Sequence, residues 1–435
     1  MPTPHAPTAL YHLYPLGFLD ADQGGSRRSC RRTLRELVEW LPHVESLGAD
    51  GLLLGPVFAS LSHGYDTVTH REIDSRLGDL SDLDALVAAA SARGVGVVLD
   101  GAFAYAGRGF HRLTDPGEPR APWFLRDDAG EHVPWRVDSL VTPDYASDGY
   151  RAYVAETLSY WLDRGIAGFR LDSAWSVPDD FWRQVLGHVR ESHPSAWFLG
   201  QVFDDDLPPV VAATTVSSAT EYALMHGTRA WLSGGPVDAM GATLRTHQHN
   251  TAGGAAPHTF LGNHDFARLA DAVPAAALPL AFAILMTLPG IPGIYYGDEV
   301  GLTSAWAEGK DDALLRPPLA LRDFELGDLE GSGHLLESVR QLTRFRRSNP
   351  WLRTAALTDI QVRDGVLAYT VRGAGDEAIR VSVDPKAEDW QVDRAARRSP
   401  FHEDGEHDST DRVVQRARQR DVPADAAVPQ LHVDP

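Results

Sequence analysis

The sequence predicts an α/β protein, a (β/α)8 barrel with a short excursion after its third strand and a small C-terminal antiparallel β domain. Three observations carry this. Short apolar runs recur between longer amphipathic stretches, the pattern of a buried parallel sheet with crossover helices. Eight such runs precede a change of pattern, which fits a closed barrel over about 350 residues better than the alternative, an open doubly wound sheet. After Asn349 the chain turns to short pieces punctuated by glycine, TDIQVRDG, VLAYTVRG and EAIRVSVD, which read as a small antiparallel sheet.

In order, the expected strands are Leu10–Leu16, Gly51–Val57, Val95–Asp100, Ile166–Asp172, Ala196–Val202, Thr215–Thr220, His258–Asn263 and Ile291–Tyr296. The expected helices are Leu34–Leu47, Leu80–Arg93, Gly149–Arg164, Pro178–Glu191, Tyr222–Leu232, Val237–Gln248, Ala267–Thr287 and Leu335–Arg347. SDLDALVAAASARG shows the helix signals plainly: Ser81 or Asp82 can cap, apolar residues follow at helical spacing, and Gly94 ends the run. The polar, Pro/Gly-rich stretch between Asp100 and Ile166 is too long for a plain loop and predicts a small excursion, about residues 101–147. The barrel is assigned to residues 1–348 and the β domain to 349–435. From Pro385 the chain is charge-dense with few apolar anchors, so partial disorder or a short docked helix is expected there.

Composition narrows the function. The 435 residues are 43% hydrophobic and 23% charged, an ordinary globular balance. A net charge of −20, from 60 acidic against 40 basic residues, argues against a protein that binds a phosphate backbone. The lone Cys30 cannot form an internal disulfide. No signal-peptide pattern opens the chain, and Pro289, Gly290, Pro292 and Gly293 break its most apolar stretch, so a cytoplasmic protein without membrane contact is expected.

In a barrel the C-terminal strand ends converge on one face, so polar residues that close apolar strands are the candidates for chemistry. These are Asp100 at the end of strand three, Arg170 and Asp172 at the end of strand four, Gln201 at the end of strand five, and Asn263, His264 and Asp265 at the end of strand seven. Arg170 and Asp172 are two apart on an extended strand and point the same way, so the guanidinium favours the ionised carboxylate. A structural ion pair at the rim is the competing reading for these two alone. With Asp265 expected to face them, the set suits glycosidic chemistry: one carboxylate attacks the anomeric carbon and further negative charge favours an oxocarbenium-like state. His264 can donate to sugar hydroxyls.

SHGYD at Ser62–Asp66, LDGAF at Leu99–Phe103, GFRLDSAW at Gly168–Trp175, FLGQVF at Phe198–Phe203, FLGNHDFAR at Phe260–Arg268 and MTLPGIPGIYYGDEVGL at Met286–Leu302 resemble, in order, the signature segments of the alpha-amylase family of retaining glycoside hydrolases. The resemblance implies that Asp172 is the nucleophile and Asp265 the transition-state-stabilising carboxylate. It implies that Arg170 and His264 orient the nucleophile and hold sugar hydroxyls, with Tyr65 as an aromatic platform and Asp66 beside it. Arg268 matches an arginine that pairs across the pocket end in exo-acting members, which tilts the expectation toward a short α-linked oligosaccharide or glucoside. A monomer or homodimer without a cofactor is expected.

Two positions depart from the family pattern. Where the family reads Asp-x-x-x-Asn-His, this chain has Asp100, Gly101, Ala102, Phe103, Ala104, Tyr105. The methyl of Ala104 cannot ligate calcium, so no metal site is expected, while Tyr105 can still stack on or hydrogen-bond to a sugar. The general acid/base position holds Gln201, whose amide has no proton to give at neutral pH. Three explanations stand open: an exchange made to trap a sugar in an otherwise active enzyme, a natural sugar-binding protein, or an enzyme whose leaving group needs no protonation.

Overall fold

Each of the eight apolar runs forms its strand, seven of them shorter than expected and the third shifted by one residue to Gly96–Gly101. The computed structural model describes residues 6–21, 32–114, 123–304, 306, 312–321, 332–395 and 412–415. Among these the parallel strands are β1 (Leu10–Leu13), β2 (Gly51–Leu54), β3 (Gly96–Gly101), β4 (Gly168–Leu171), β5 (Trp197–Gly200), β6 (Ser218–Ala219), β7 (His258–Phe260) and β8 (Ile291–Tyr295). They form one sheet in the order β7-β8-β1-β2-β3-β4-β5-β6, the (β/α)8 class that the sequence predicts. The described residues fall into two compact units, one within 1–45, 49–220 and 308–319, the other within 46–48, 221–307 and 320–435.

The first unit holds β1 to β6, buried on both faces as continuous apolar runs require. The expected first strand stops at Leu13 because Pro15, which has no N–H to give a ladder, starts a helical turn at Pro15–Phe18. Gly168 is required for β4 to approach β5: a Cβ there would lie 1.9 Å from the Trp197 carbonyl oxygen. The helices are α1 (Leu37–Ser46, whose last residue falls in the second unit), α2 (Leu80–Ala92), α3 (Asp148–Asp163), α4 (Asp179–Ser192) and α5 (Leu207–Thr214). Asp79, rather than Ser81 or Asp82, caps α2: its carboxylate accepts from the Ser81 and Asp82 N–H groups, and the Asp82 side chain accepts from the Asp79 N–H. Helix α5 was not expected from the β-branched run PPVVAATT. Pro208 in its first turn starts it, and it ends at Thr214, with Thr215 in the left-handed region as its C-cap, before the shortened β6. The excursion after β3 is a three-stranded antiparallel sheet of Ala106–Gly107, Val137–Val141 and Pro134–Trp135, with the middle segment at its centre.

The second unit holds β7, β8 and helices α6 (Tyr222–Leu232), α7 (Val237–Asn250), α8 (Leu278–Thr287) and α9 (Ser332–Ser348). The single helix expected over Ala267–Thr287 is broken at Pro274 into Leu269–Ala272, a turn at Ala275–Ala277, and α8. After α9 an antiparallel sheet runs β9 (Ala356–Arg363), β10 (Val366–Arg372), β11 (Ala378–Asp384), β12 (Asp389–Arg394) and β13 (Arg412–Gln415), in sequence order. Leu367, Tyr369, Val371, Val381, Val383, Trp390 and Val392 form its buried side. Tyr369 meets α8 through its hydroxyl, 2.6 Å from Thr287 Oγ1. The stretch after Pro385 thus carries β12, where disorder or a helix was expected, because Trp390 and Val392 alternate inward. Residues 396–411 and 416–435 of the expected weak tail, and Cys30, lie outside the described residues. No described helix is long and apolar enough to cross a membrane.

Candidate active site

Parallel pairing of β3 with β4 sets Asp100 directly opposite Arg170. Asp172 follows β4, its N–H donating to the Gly101 carbonyl at 3.0 Å, so three charged side chains meet at two neighbouring strand ends. Arg170 Nη1 donates to Asp172 Oδ1 at 2.9 Å and to Asp100 Oδ2 at 2.5 Å. The Tyr65 hydroxyl donates to the same Asp100 oxygen at 2.9 Å. Asp172 Oδ2 accepts from the Tyr105 hydroxyl at 2.5 Å. Asp100, Arg170, Asp172 and Tyr105 are all buried.

One buried guanidinium therefore faces two buried carboxylates, one negative charge in excess if both are ionised. Burial pushes Asp100 up to about 7, opposed by Arg170 and reinforced by Asp172. Its Oδ1, without a partner among the described residues, is where a proton fits. Burial, with the Asp172 carboxylate beside it, raises the Tyr105 phenol well above the ordinary tyrosine range, so Tyr105 stays a donor to Asp172.

Gln201 follows β5, its N–H donating to the Leu171 carbonyl at 3.0 Å. Ser173, in the left-handed region at φ 49°, turns its N–H onto Gln201 Oε1 at 2.8 Å. A backbone N–H can only donate, so the amide oxygen faces Ser173 and the Nε2 hydrogens occupy the other end. A carboxylic acid held in the same way would carry its proton at that end. The Trp175 N–H closes the turn on the Gln201 carbonyl at 3.2 Å.

In the second unit Asn263, His264 and Asp265 follow β7. His264 is buried with Nε2 at 3.2 Å from Asp265 Oδ1, whereas Asp265 is partly exposed. Asn263 Oδ1 accepts from the Asp265 N–H at 2.9 Å, and its Nδ2 donates to the Tyr222 hydroxyl at 3.2 Å. Arg268 is buried over Tyr295 and Tyr296, at 4.5 and 4.7 Å from their ring centres, and 3.4 Å from Asp298 Oδ1. Burial pushes Asp298 up to about 6, opposed by Arg268 and Arg229.

Of the residues named from sequence, Tyr65, Asp100, Tyr105, Arg170 and Asp172 form one hydrogen-bonded network, and Gln201 is tied to the residue after Asp172. Asp66 is spent locally, its oxygens accepting from Ser62 N–H at 3.0 Å and Ser62 Oγ–H at 2.6 Å. Sequence reasoning missed Asp298 as a partner of Arg268, although the acids of GDEV directly after β8 were a signal. It also missed Tyr14, whose ring carries the Arg316 guanidinium at 4.2 Å and lies 6.4 Å from Tyr65. Nothing local in the sequence links those three.

Where the resemblance would put calcium, beside Asp100–Tyr105, the residues do not fit it. Ala104 is buried, and its carbonyl oxygen is taken by the Tyr145 hydroxyl at 2.7 Å. Among the described residues no group of three or more His, Cys, Asp or Glu is placed to hold a metal ion.

The sequence matches the family described as alpha amylase, catalytic domain, over residues 12–142 and 136–321. It is 28% identical over 353 residues to neopullulanase 2 of Thermoactinomyces vulgaris, covering 76% of this chain and 57% of that protein. It is 27% identical over 372 residues to a maltogenic alpha-amylase of Bacillus acidopullulyticus, covering 78% and 60%. The chain thus spans about three fifths of the length of these curated relatives. The ligand-free structure of the cyclic alpha-maltosyl-(1→6)-maltose hydrolase from Arthrobacter globiformis aligns with a TM-score of 0.74 at 25% identity, covering 86% of this chain and 90% of that one. With the family match extending over well more than half of its residues, the chain belongs to the alpha-amylase family.

Proposed function

We propose that the chain is a retaining glycoside hydrolase or transglycosylase for short α-linked glucosides, acting in the cytoplasm as a monomer or homodimer and impaired by Gln201. The observation that carries this reading is the Arg170–Asp172 pair backed by Asp100 and Tyr65, because a fixed, ionised carboxylate is what nucleophilic attack at an anomeric carbon requires. The names of the relatives, a neopullulanase, a maltogenic amylase and a cyclic maltosyl-maltose hydrolase, support an α-linked substrate.

In the first step an Asp172 oxygen bonds to the anomeric carbon as the bond to the leaving oxygen breaks, and that oxygen keeps the electron pair. Asp265 stabilises the positive sugar ring, and Arg170 holds Asp172 in line. An ordinary sugar leaving group needs a proton at that moment, and Gln201 has none. In the second step water attacks the glycosyl-enzyme and must lose a proton, which Gln201 cannot accept. Loss of proton transfer costs roughly 10²–10⁴-fold in rate.

The test is the change Gln201→Glu, assayed with a panel of α-linked disaccharides and acceptor sugars. Turnover that rises at least 100-fold with the carboxyl restored supports the reading, and absence of any turnover overturns it. A second reading, a sugar-binding protein without turnover, is favoured by one observation: both Asp172 oxygens already accept hydrogen bonds, from Arg170 and Tyr105. It requires calorimetric sugar affinity that Gln201→Glu leaves unchanged, with no products.

A further inference from the structure

Building on the retaining reading above, we propose that the substrate of this chain is an aryl α-glucoside, whose aglycone leaves as a phenolate received by Trp175, Phe203 and Arg136. A side-chain ladder leads from the nucleophile to the surface. The Tyr105 hydroxyl holds Asp172 Oδ2, and the Tyr105 ring packs on Trp135 at 4.3 Å between centres. Arg136 places its guanidinium 5.8 Å from the Trp135 ring and 4.8 Å from the Trp175 ring. Trp175 meets Phe203 edge-on at 6.0 Å. Trp175 is 38% exposed and Phe203 50%, and they flank Gln201 in structure: the Trp175 N–H binds the Gln201 carbonyl, and Phe203 lies two residues on.

Two large rings partly open to water beside the leaving-group position, set at 66° to each other, form an apolar cleft with the Arg136 guanidinium over the face of Trp175. A phenolic ring can stack there while its oxygen lies near Arg136. Arg136 itself is held in the left-handed region at φ 56°, an uncommon conformation for a side-chain-bearing residue. A phosphate leaving group would call for several convergent donors, whereas Arg136 is the cation that packs on these rings among the described residues.

The chemistry agrees with Gln201. An Asp172 oxygen forms its bond to the anomeric carbon while the bond from that carbon to the phenolic oxygen breaks. The electron pair stays on the phenolic oxygen, which departs as phenolate, and no proton moves. Water then adds to the anomeric carbon, the Asp172 carboxylate is released, and the proton passes to bulk solvent. The first step proceeds without an acid while the second stays slow, so glycosyl-enzyme accumulates.

The experiment follows phenolate release from 4-nitrophenyl α-glucoside by the unaltered chain in stopped flow, with α-glucosyl fluoride as a ringless donor that also needs no acid. The expected result is a burst of about one phenolate per chain, followed by a slow phase. In Arg136→Gln and Phe203→Ala the ratio of kcat/KM for the aryl donor to that for the fluoride falls at least tenfold, a change that general loss of folding does not produce. If the fluoride reacts and the aryl donor does not, or if the ratio is unchanged in both variants, the aryl proposal is overturned while the retaining reading stands. If neither donor reacts and Gln201→Glu is also inactive, the retaining reading falls, and this proposal with it.

Discussion

Replacing Asp100 by asparagine should make the protein more stable above neutral pH while leaving it unchanged in acid. Asp100 shares Arg170 with Asp172, and its burial raises it to about 7 from an ordinary 3.8, a difference worth about 4 kcal/mol. The sign follows from proton counts. Below about pH 4 the folded and unfolded forms both carry the proton. Between about pH 4 and 7 the folded protein keeps a proton that the unfolded chain has lost, so stability falls as pH rises, and the full cost is present above 7. In Asp100→Asn the new side chain would still accept from Tyr65 and Arg170 with its oxygen, and its amide would occupy the place of the unpartnered Oδ1. Urea unfolding followed by tryptophan fluorescence at pH 4.5, 5.5, 6.5 and 8 measures both forms, and titrations common to both cancel in the difference. The stability difference should open in favour of Asp100→Asn by about 3 kcal/mol between pH 4.5 and 8, about 1 kcal/mol of the total already being present at pH 4.5. If the variant instead becomes relatively weaker toward pH 8, Asp100 is ionised and held by Arg170, and the excess-charge argument is wrong.

Two further substitutions probe the packing around the site and of α9 against the segment before β8. Tyr105→Phe removes a 2.5 Å donor from the buried Asp172 carboxylate and should lower stability by about 1.5–3 kcal/mol in the same urea assay. Arg346→Met should cost about 3 kcal/mol or more, read as a fall in the urea midpoint, because the buried guanidinium donates to the carbonyls of Met286, Leu288 and Gly290 and nothing would replace those donors.

The barrel strands were legible because strands buried on both faces read as continuous apolar runs, bounded here by Gly and Pro. Asp100, Arg170 and Asp172 were legible because each is a charge set at the end of such a run. The losses occurred where distant partners decide. Helix α5 at Leu207–Thr214 drew no expectation at all, because its start rests on the Pro208 turn and its buried residues are few. Strand β12 has only Trp390 and Val392 as buried anchors, and their period of two is hidden among charges until β11 lies beside them. Asp298 looked like one acid among several, and only burial beside Arg268 marks it. The ladder through Trp135 and Arg136 arises from a polar excursion whose small sheet brings Tyr105 and Trp135 together, 30 residues apart in the chain.

Tyr105 and Gln201 should be read together, because each touches the nucleophile segment from a different strand end. Tyr105 holds Asp172 Oδ2, and Gln201 holds the Ser173 N–H immediately after it. The residues that the resemblance implies at these two positions, a histidine and a glutamate, both exchange protons at moderate pH, whereas a buried phenol and an amide do not. The two departures thus remove mobile protons from around Asp172 while the charged framework of Arg170 and Asp100 is kept. A single exchange made to trap a sugar would alter position 201 alone and leave histidine at position 105. Under the aryl proposal the paired loss spares only the step in which the leaving group departs without a proton, and that condition selects for an aglycone stable as an anion. Restoring glutamate at position 201 then returns an acid to a site that still has Tyr105 on its nucleophile, so the gain for ordinary disaccharides should grow when Tyr105 is changed to histidine in the same chain.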